Sequence, residues 1–496
     1  MKGNLPVSDV IRKIREKINN KNIIKLVLIF LLLQPLFDIL SFLDIRNIIP
    51  FGISTYVKPL VVFGVAAIIY LIDKEARKKW TILYVLYAIL IVGHLVILNR
   101  IGTEMSIILH EFRFMINIAY MLVFYIIFDY MYIRNENKEE FIKQLKSSLI
   151  ITFIIYCATI LLAIVTGTSG RTYEYADALK EGFKGWLDSG QIFGHALSII
   201  LPFMMYGILN YKSDNKIKMY LVKLIILMPI IVLCLIGTKV TLFMCIIVVA
   251  SYIILSIFFA IKDKEKSHII NIVFLSAVLG GIILVYPNLP TPKNMNLQKA
   301  VDSDYVNMDR ENIEWEKKYS ELKVENINCD CITTDPRSQY NSYNVYAVEK
   351  LKESYMNGSV IPSDSRAKQL VYNYNKFNVA SVEYKIFGLG FLNQPEGLVI
   401  ERDIVMSIFN FGILGFLLIF AIPIALWLKA TYMILRNLKK LNFETLVLYE
   451  GFSVFFCISF LAGYTFMYTN FSIFLMALMC LLNWDLNKKY NLKSFL

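Results

Sequence analysis

Charged residues are scarce in this sequence, at only 18% of its 496 positions. Soluble globular proteins carry about 25% charged and about 45–50% apolar residues, whereas 57% of this chain is hydrophobic. That excess is too large for a soluble core, and it excludes both a soluble enzyme and a disordered chain. We therefore predict an integral membrane protein.

Cysteine is also sparse, with seven residues in the whole chain. Five of them lie inside apolar runs, where a thiol usually behaves as a small hydrophobic side chain, so a secreted disulfide scaffold is excluded. Only Cys329 and Cys331 share a polar segment. No nearby His or Cys completes a tetrahedral metal site, so we predict no metal there and leave a strained disulfide open.

Apolar stretches of roughly 18–25 residues, each long enough to cross a bilayer as a helix, recur along the chain. About twelve such spans are predicted, which makes the fold class an all-α polytopic membrane protein. Their approximate limits are 23–43, 50–72, 80–98, 108–130, 148–167, 189–209, 219–236, 240–261, 268–287, 404–428, 446–466 and 468–484.

The formal net charge of +12 first suggests nucleic acid, but the basic residues follow the loops between spans. Lys and Arg crowd the N-terminal segment and every second short loop, which is the pattern of cytoplasmic loops. The intervening short loops hold only Arg46, Arg100, Arg171, Lys180, Lys184 and Lys239. Both termini are therefore predicted to be cytoplasmic, and no nucleic-acid partner is expected.

One long polar segment, residues 288–403, separates the ninth and tenth spans and should face outside. Apolar residues recur with helical spacing in Asn344–Tyr355 and Ser365–Val379, so the segment is predicted to be a small helical domain. The predicted organisation is a basic N-terminal segment, nine spans, this loop domain, three spans and a cytoplasmic tail. The corresponding ranges are 1–22, 23–287, 288–403, 404–484 and 485–496.

Ionisable residues inside spans are costly and usually functional. Here most of them lie in the predicted outer halves: Asp38, Lys58, His94, His110, Glu111, Arg113, His195 and Lys239. Lys223 and Glu450 are predicted to snorkel to the cytoplasmic boundary. A transporter needs a polar site near the midplane that is reachable from both sides. Polar groups confined to the outer half instead favour an enzyme that acts on an outer-leaflet lipid headgroup.

Three glycine-containing patterns stand at defined places in this topology. The first runs from Gly170-Arg171-Thr172 to the start of the sixth span, and the second is the turn Gly237-Thr238-Lys239. The third begins at Arg366, passes through Gly388-Leu389-Gly390-Phe391 and Glu401-Arg402-Asp403, and ends in Gly412-Ile413-Leu414-Gly415-Phe416. In order and position these patterns resemble the O-antigen ligase and polymerase superfamily of membrane glycosyltransferases, in the branch found in polysaccharide clusters of single-membrane bacteria.

The resemblance implies a metal-independent glycosyltransferase of the plasma membrane that needs no cofactor. It would transfer a glycan from undecaprenyl pyrophosphate to an acceptor at the outer face, with polymerase favoured over ligase. Other polysaccharide-assembly membrane proteins are possible partners.

The residues that match the family pattern suggest a division of roles. Arg171 and Arg366 match outer-face arginines that stabilise the leaving pyrophosphate. Lys239 and Arg402 add positive charge nearby, and Glu401 or Asp403 is the candidate base. Many relatives have a His at the end of the large loop. This chain has none there. Tyr464 also stands where relatives often have a His, and the resemblance implies that it binds substrate together with Arg171, Lys239, Arg366 and Arg402.

Two other classes remain open. A flippase or exporter of lipid-linked oligosaccharides also needs many spans and cationic cavities, although it does not require a folded outer loop carrying Arg366. A receptor or scaffold is the third alternative.

Overall fold

The computed structural model describes residues 20–46, 53–100, 105–174, 179–264, 266–307, 344–360, 364–391, 398–463, 465 and 469–490. The described chain is almost entirely helical, as the apolar periodicity predicts. Tyr464, Cys329, Cys331 and most of the basic N-terminal segment lie outside the described residues, so the predictions for them stay predictions.

The first half of the chain forms long apolar helices. They are α1 (Asn20–Leu32), α2 (Gln34–Ile45), α3 (Ile53–Ile72), α4 (Lys74–Arg100), α5 (Met105–Arg134) and α6 (Lys138–Val165). A short antiparallel hairpin follows, made of β1 (Gly170–Arg171) and β2 (Phe183–Gly185). The chain then continues through α7 (Gly190–Leu209), α8 (Lys216–Leu224), α9 (Leu227–Leu235), α10 (Lys239–Asp263) and α11 (Lys266–Val285).

The second half begins with a polar helix and three shorter helices before the chain returns to the bundle. These are α12 (Pro290–Asn307), α13 (Val345–Met356), α14 (Ser365–Val379) and α15 (Val382–Phe387). The final helices are α16 (Asp403–Arg436), α17 (Phe443–Leu461) and α18 (Thr469–Tyr490). Single-turn 3₁₀ helices occur at Tyr286–Asn288 and Leu438–Lys440.

In the described part of the chain, nine helical segments are long and apolar enough to cross a membrane. The number rises to ten if α1 and α2, which meet at a bend of 49°, count as one span. Gln34 and Pro35 stand at this bend. The proline accounts for it, because its ring removes a backbone hydrogen bond and kinks the helix. A helix overlaps each predicted span, but the count of about twelve is not confirmed and stays a prediction.

Helices α13 and α14 correspond to the two periodic runs found in the polar segment. Asn344 caps α13 by accepting a hydrogen bond from the Ala347 amide, and Asp364 caps α14 through the Ala367 amide. The pair has a small apolar cluster of its own, separate from the main core of the bundle, around Leu351, Tyr355 and Tyr372. The helices are thus as the sequence predicts, whereas their position outside the cell stays a prediction.

The motif around Gly388 and Gly390 is hydrogen-bonded to the chain just before Gly412. The amides of Leu389 and Gly390 donate to the carbonyls of Phe409 and Asn410, at 2.9 and 3.1 Å. Helix α16 kinks at Gly412, whose φ of 70° lies in the left-handed region. A Cβ at Gly412 would stand 2.2 Å from the Ile386 carbonyl oxygen. The motifs therefore hold the end of α15 against the start of α16.

The half of the bundle assigned to the cytoplasm by its basic loops is more polar than the sequence predicts. Lys223 does not snorkel: it is buried, and its Nζ donates to Asn271 Oδ1 at 3.2 Å. Glu450 accepts a hydrogen bond from the Ser251 hydroxyl, and buried Asp129 pairs with Lys79 at 2.7 Å. The snorkelling prediction was wrong for Lys223, because Asn271 of α11 supplies its polar partner within the bundle.

Candidate functional site

The loop that contains the β-hairpin packs on the turn between α9 and α10. The Thr172 hydroxyl donates to the Ile236 carbonyl at 2.7 Å, and the Tyr173 hydroxyl reaches the Gly237 carbonyl at 3.4 Å. Asn294 of α12 also holds the loop and the turn together, since its side-chain amide donates to the carbonyls of Glu181 and Gly237. Two of the three glycine patterns found in the sequence therefore form one surface.

Arg366 joins this region to the C-terminal helices. It lies in the first turn of α14, and its Nη1 donates to the Leu461 carbonyl at the end of α17, at 3.1 Å. Its Nε is 3.9 Å from Glu401 Oε2. The side chains of Arg366 and Glu401 keep 35% and 40% of their surface exposed. Both charged groups are therefore held in place yet accessible to a ligand.

The charges of this ion pair act on Tyr173 of the hairpin loop. Burial raises the pKa of the Tyr173 hydroxyl above its ordinary value, the charge on Arg366 lowers it and the charge on Glu401 raises it further. Because both charges act electrostatically on one phenol, we refer to Tyr173, Arg366 and Glu401 together as the cluster. At neutral pH Tyr173 is a neutral hydrogen-bonding group in this cluster.

Asp403 has different surroundings although it is close to Glu401 in sequence. It is fully buried at the first turn of α16, and its Oδ2 accepts a hydrogen bond from the Thr465 amide at 2.9 Å. A carboxylate at a helix N-terminus also interacts favourably with the helix dipole. Asp403 thus ties the start of α16 to the chain beyond α17.

His195 is joined to Asp403 through Thr465. The sequence did not single it out as a site residue. The Thr465 hydroxyl and His195 Nδ1 are 3.3 Å apart, and His195 is fully buried in α7. Its Nε2 has no hydrogen-bond partner among the described residues. The only sequence signal was its place among the polar residues at the outer ends of spans.

The remaining predicted site residues are less closely joined. Arg171 in β1 and Lys239 at the start of α10 are both exposed, and no direct contact joins either of them to Arg366 in the described ranges. Arg171 pairs with Phe183 in the hairpin, and its neighbour Thr172 bonds the Ile236 carbonyl. Arg402 is half-buried, and its Nε is unbonded within the described part of the chain. The structure therefore does not join these three cations to the Arg366–Glu401 pair in the ranges it describes.

Four of the other polar residues noted in the outer halves of spans form local pairs, whereas His110 and Arg113 are exposed. Lys58 bonds Asp38 at 2.8 Å, and the Tyr156 hydroxyl also donates to Asp38. His94 lies 3.4 Å from Glu111, and both are fully buried. These pairs link neighbouring helices. Among the described residues no three His, Cys, Asp or Glu side chains form a group able to hold a metal.

The fold and the cluster together define an all-α polytopic membrane protein with an accessible arginine and carboxylate at the loop-bearing end of the bundle. Residues 20–489 match the family described as O-antigen ligase like membrane protein, and the chain belongs to that family. No curated protein matches the sequence. Membership indicates a glycosyltransferase-like membrane enzyme of polysaccharide assembly.

Proposed function

We propose that the protein polymerises or ligates oligosaccharide units carried on undecaprenyl pyrophosphate, at the outer face of the plasma membrane. The observation that carries this proposal is the accessible Arg366–Glu401 pair, held between α14, α17 and the loop of the β-hairpin. A fixed cation beside an exposed carboxylate suits a reaction in which a phosphate leaves and a hydroxyl loses its proton. Family membership supports the same class of chemistry.

In the proposed step, the acceptor hydroxyl oxygen attacks the anomeric carbon of the donor glycan. The bond between that carbon and the phosphate oxygen breaks, and the lipid pyrophosphate leaves with the electron pair. Arg366 stabilises the developing negative charge by charge-assisted hydrogen bonds, and Glu401 takes the hydroxyl proton. Arg171, Lys239 and Arg402 add positive potential around the same surface, and Asp403 holds α16 in place.

The two versions of this reaction differ only in the acceptor. In a polymerase the acceptor is another lipid-linked repeat unit, and in a ligase it is a different molecule. We favour the polymerase, because the branch that the sequence resembles belongs to single-membrane bacteria, which lack a lipid A core to receive the glycan.

The test uses the purified full-length protein in nanodiscs, supplied with the undecaprenyl-pyrophosphate repeat unit, with and without EDTA. We expect longer glycans and released undecaprenyl pyrophosphate in both conditions. The matched variants are Arg366→Ala and Arg100→Ala, since Arg100 lies in a more exposed ion pair with Glu383. Loss of a preorganised donor to the leaving group should reduce kcat roughly 10²–10³-fold for the first variant and leave the second active.

Three results would contradict the proposal. Failure of wild type to release lipid pyrophosphate with any acceptor would exclude the transferase. Full activity of Arg366→Ala would exclude the assigned site. Movement of intact lipid-linked oligosaccharide between leaflets without any change in glycan length would instead favour the exporter.

A further inference from the structure

A cavity lies between the end of α2 and the chain that joins α6 to the hairpin. Its volume is about 520 Å³, which is in the range of pockets that hold small molecules. The residues that line it are Ile39, Phe42, Leu43, Arg46, Gly167, Thr168, Ser169 and Trp186.

The lining is apolar on one side and polar on the other. Ile39, Phe42 and Leu43 come from α2, whereas the hairpin side supplies the indole of Trp186 and the hydroxyls of Thr168 and Ser169. An indole combines a large apolar surface with a polar edge. Sugar rings have the same two characters, an apolar face and a rim of hydroxyls.

Hydrogen bonds hold the polar side of the cavity in one geometry. The Trp186 Nε1 donates to Thr168 Oγ1 at 2.9 Å, and the Gly185 amide donates to Ser169 Oγ at 3.0 Å. Glu174 pairs with both Arg46 and Lys184, and this ion pair ties the hairpin loop to the end of α2. A preformed cavity of this kind loses little conformational entropy when a ligand binds.

The hairpin connects this cavity to the candidate site. Ser169 lines the cavity, β1 follows it directly, and Thr172 and Tyr173 then bond the carbonyls of Ile236 and Gly237, with the charges of Arg366 and Glu401 acting on the Tyr173 phenol. A ligand that extends from the cavity along β1 therefore approaches the Arg366–Glu401 pair. This is the arrangement needed to hold a glycan whose end reacts there.

We propose that the cavity is a carbohydrate subsite that binds sugar rings of the oligosaccharide substrate, with Trp186 as its apolar platform. This inference deepens the proposed function and rests on it. Trp186 and Thr168 determine the affinity for the glycan, and they take no part in breaking or making the glycosidic bond.

The experiment measures binding of two probes to the full-length protein in nanodiscs. One probe is the free oligosaccharide released from its lipid by mild acid, and the other is undecaprenyl phosphate without sugar. The variants are Trp186→Ala, Trp186→Phe and Thr168→Val. Trp427→Phe is the matched control, because its indole also donates to a hydroxyl, that of Ser453, at 3.0 Å.

We expect Trp186→Ala to weaken oligosaccharide binding about tenfold, as for the loss of one aromatic anchor, and to raise KM with kcat unchanged. Trp186→Phe should keep part of the affinity, and Thr168→Val should weaken it as well because the indole loses its hydrogen bond. Binding of undecaprenyl phosphate should not change in any variant, and Trp427→Phe should behave as wild type.

The outcomes separate this proposal from the proposed function. Wild-type oligosaccharide affinity and KM in all three cavity variants would overturn the subsite, while release of lipid pyrophosphate would still support the transferase. Equal loss of undecaprenyl phosphate binding would show that the cavity holds the lipid. If oligosaccharide binding depends on Trp186 but wild type releases no pyrophosphate, the subsite stands and the transferase is wrong.

Discussion

At the scale of single residues, Glu401 and Asp403 illustrate how burial separates two neighbouring carboxylates. Asp403 is enclosed at the start of α16 and bonded to the Thr465 amide, so a substrate hydroxyl has little access to it. Glu401 keeps 40% of its side chain exposed and lies beside Arg366. The sequence left both residues open as the base, and their surroundings favour Glu401.

Glu401→Gln should reduce kcat roughly 10²–10⁴-fold, the usual contribution of a general base, without a change in thermal stability. Asp403→Asn should instead lower the melting temperature, because it removes the charge at the N-terminus of α16 and weakens the bond from Thr465. Turnover and thermal unfolding are measured on the same preparations. Normal turnover in Glu401→Gln would exclude it as the base.

Lys376 is a second residue for which burial matters, because it shifts the pKa of the side chain and so makes the stability of the protein depend on pH. It lies with Gln369, Tyr372 and Asn373 on the buried face of α14, and burial lowers its pKa from 10.5 to about 8. The folded state therefore loses this proton at lower pH than the unfolded state does. Between pH 8 and 10.5 the unfolded state binds more protons, so stability contributed by this group rises with pH across that window.

Replacing the lysine removes the cost of burying its charge. Relative to wild type, Lys376→Met should be more stable at pH 7 than at pH 10.5 by up to about 3 kcal/mol, which is the pKa difference converted at about 1.36 kcal/mol per unit. The gain should shrink as pH rises from 8 to 10.5. Thermal unfolding across this range checks it, with exposed Lys352→Met as control. A pH-independent gain would show that the effect is one of packing alone.

At the scale of elements, the two glycine motifs owe their spacing to a close approach of two backbones. Gly388 has a φ of 93°, and a Cβ there would lie 2.1 Å from the Asn410 carbonyl oxygen. Gly412 has the reciprocal relation to Ile386. Neither position can take a side chain without separating α15 from α16, so the glycines keep these two helices together.

Gly388→Ala and Gly412→Ala should each destabilise the protein by about 2 kcal/mol or more, from left-handed backbone strain together with the steric clash. Gly64 and Gly280 are the matched controls, because a Cβ at either meets nothing within 4 Å. Their alanine variants should be neutral or slightly stabilising, since alanine is the better helix former. Melting temperatures measured in detergent test this prediction. Equal values for all four variants would contradict the close packing of α15 against α16.

Local patterns predicted individual elements better than the contacts between them. Apolar spacing predicted α14 with the bounds that the structure has, because one face of that helix is buried along its length. The bond from Arg366 to the Leu461 carbonyl and the link from His195 to Thr465 join positions far apart in the chain. No local periodicity encodes such contacts, and so the sequence indicated Arg366 and Glu401 only through resemblance and missed His195.

At the scale of the whole molecule, the alternation of basic loops predicts which end of the bundle faces the cytoplasm. The buried polar pairs do not repeat this asymmetry, because Lys79–Asp129 and Lys223–Asn271 lie in the half assigned to the cytoplasm. Polarity within the bundle is therefore a weaker guide to sidedness than the loops are. Orientation must be tested on exposed loop positions.

Two exposed positions suit that test. Tyr374 of α14 is 53% exposed, and Asp214 is exposed in the loop between α7 and α8. Each is changed to cysteine in a variant whose seven native cysteines have been replaced, and intact cells are treated with a membrane-impermeant maleimide.

We expect Tyr374→Cys to react in intact cells and Asp214→Cys to react only after the membrane is permeabilised. The cysteine-free parent is the control for background labelling, and permeabilised cells confirm that both thiols are reactive. Labelling of Asp214→Cys alone in intact cells would place α14 in the cytoplasm. Because Arg366 lies in α14, that result would move the Arg366–Glu401 pair to the inner face and exclude transfer at the outer leaflet.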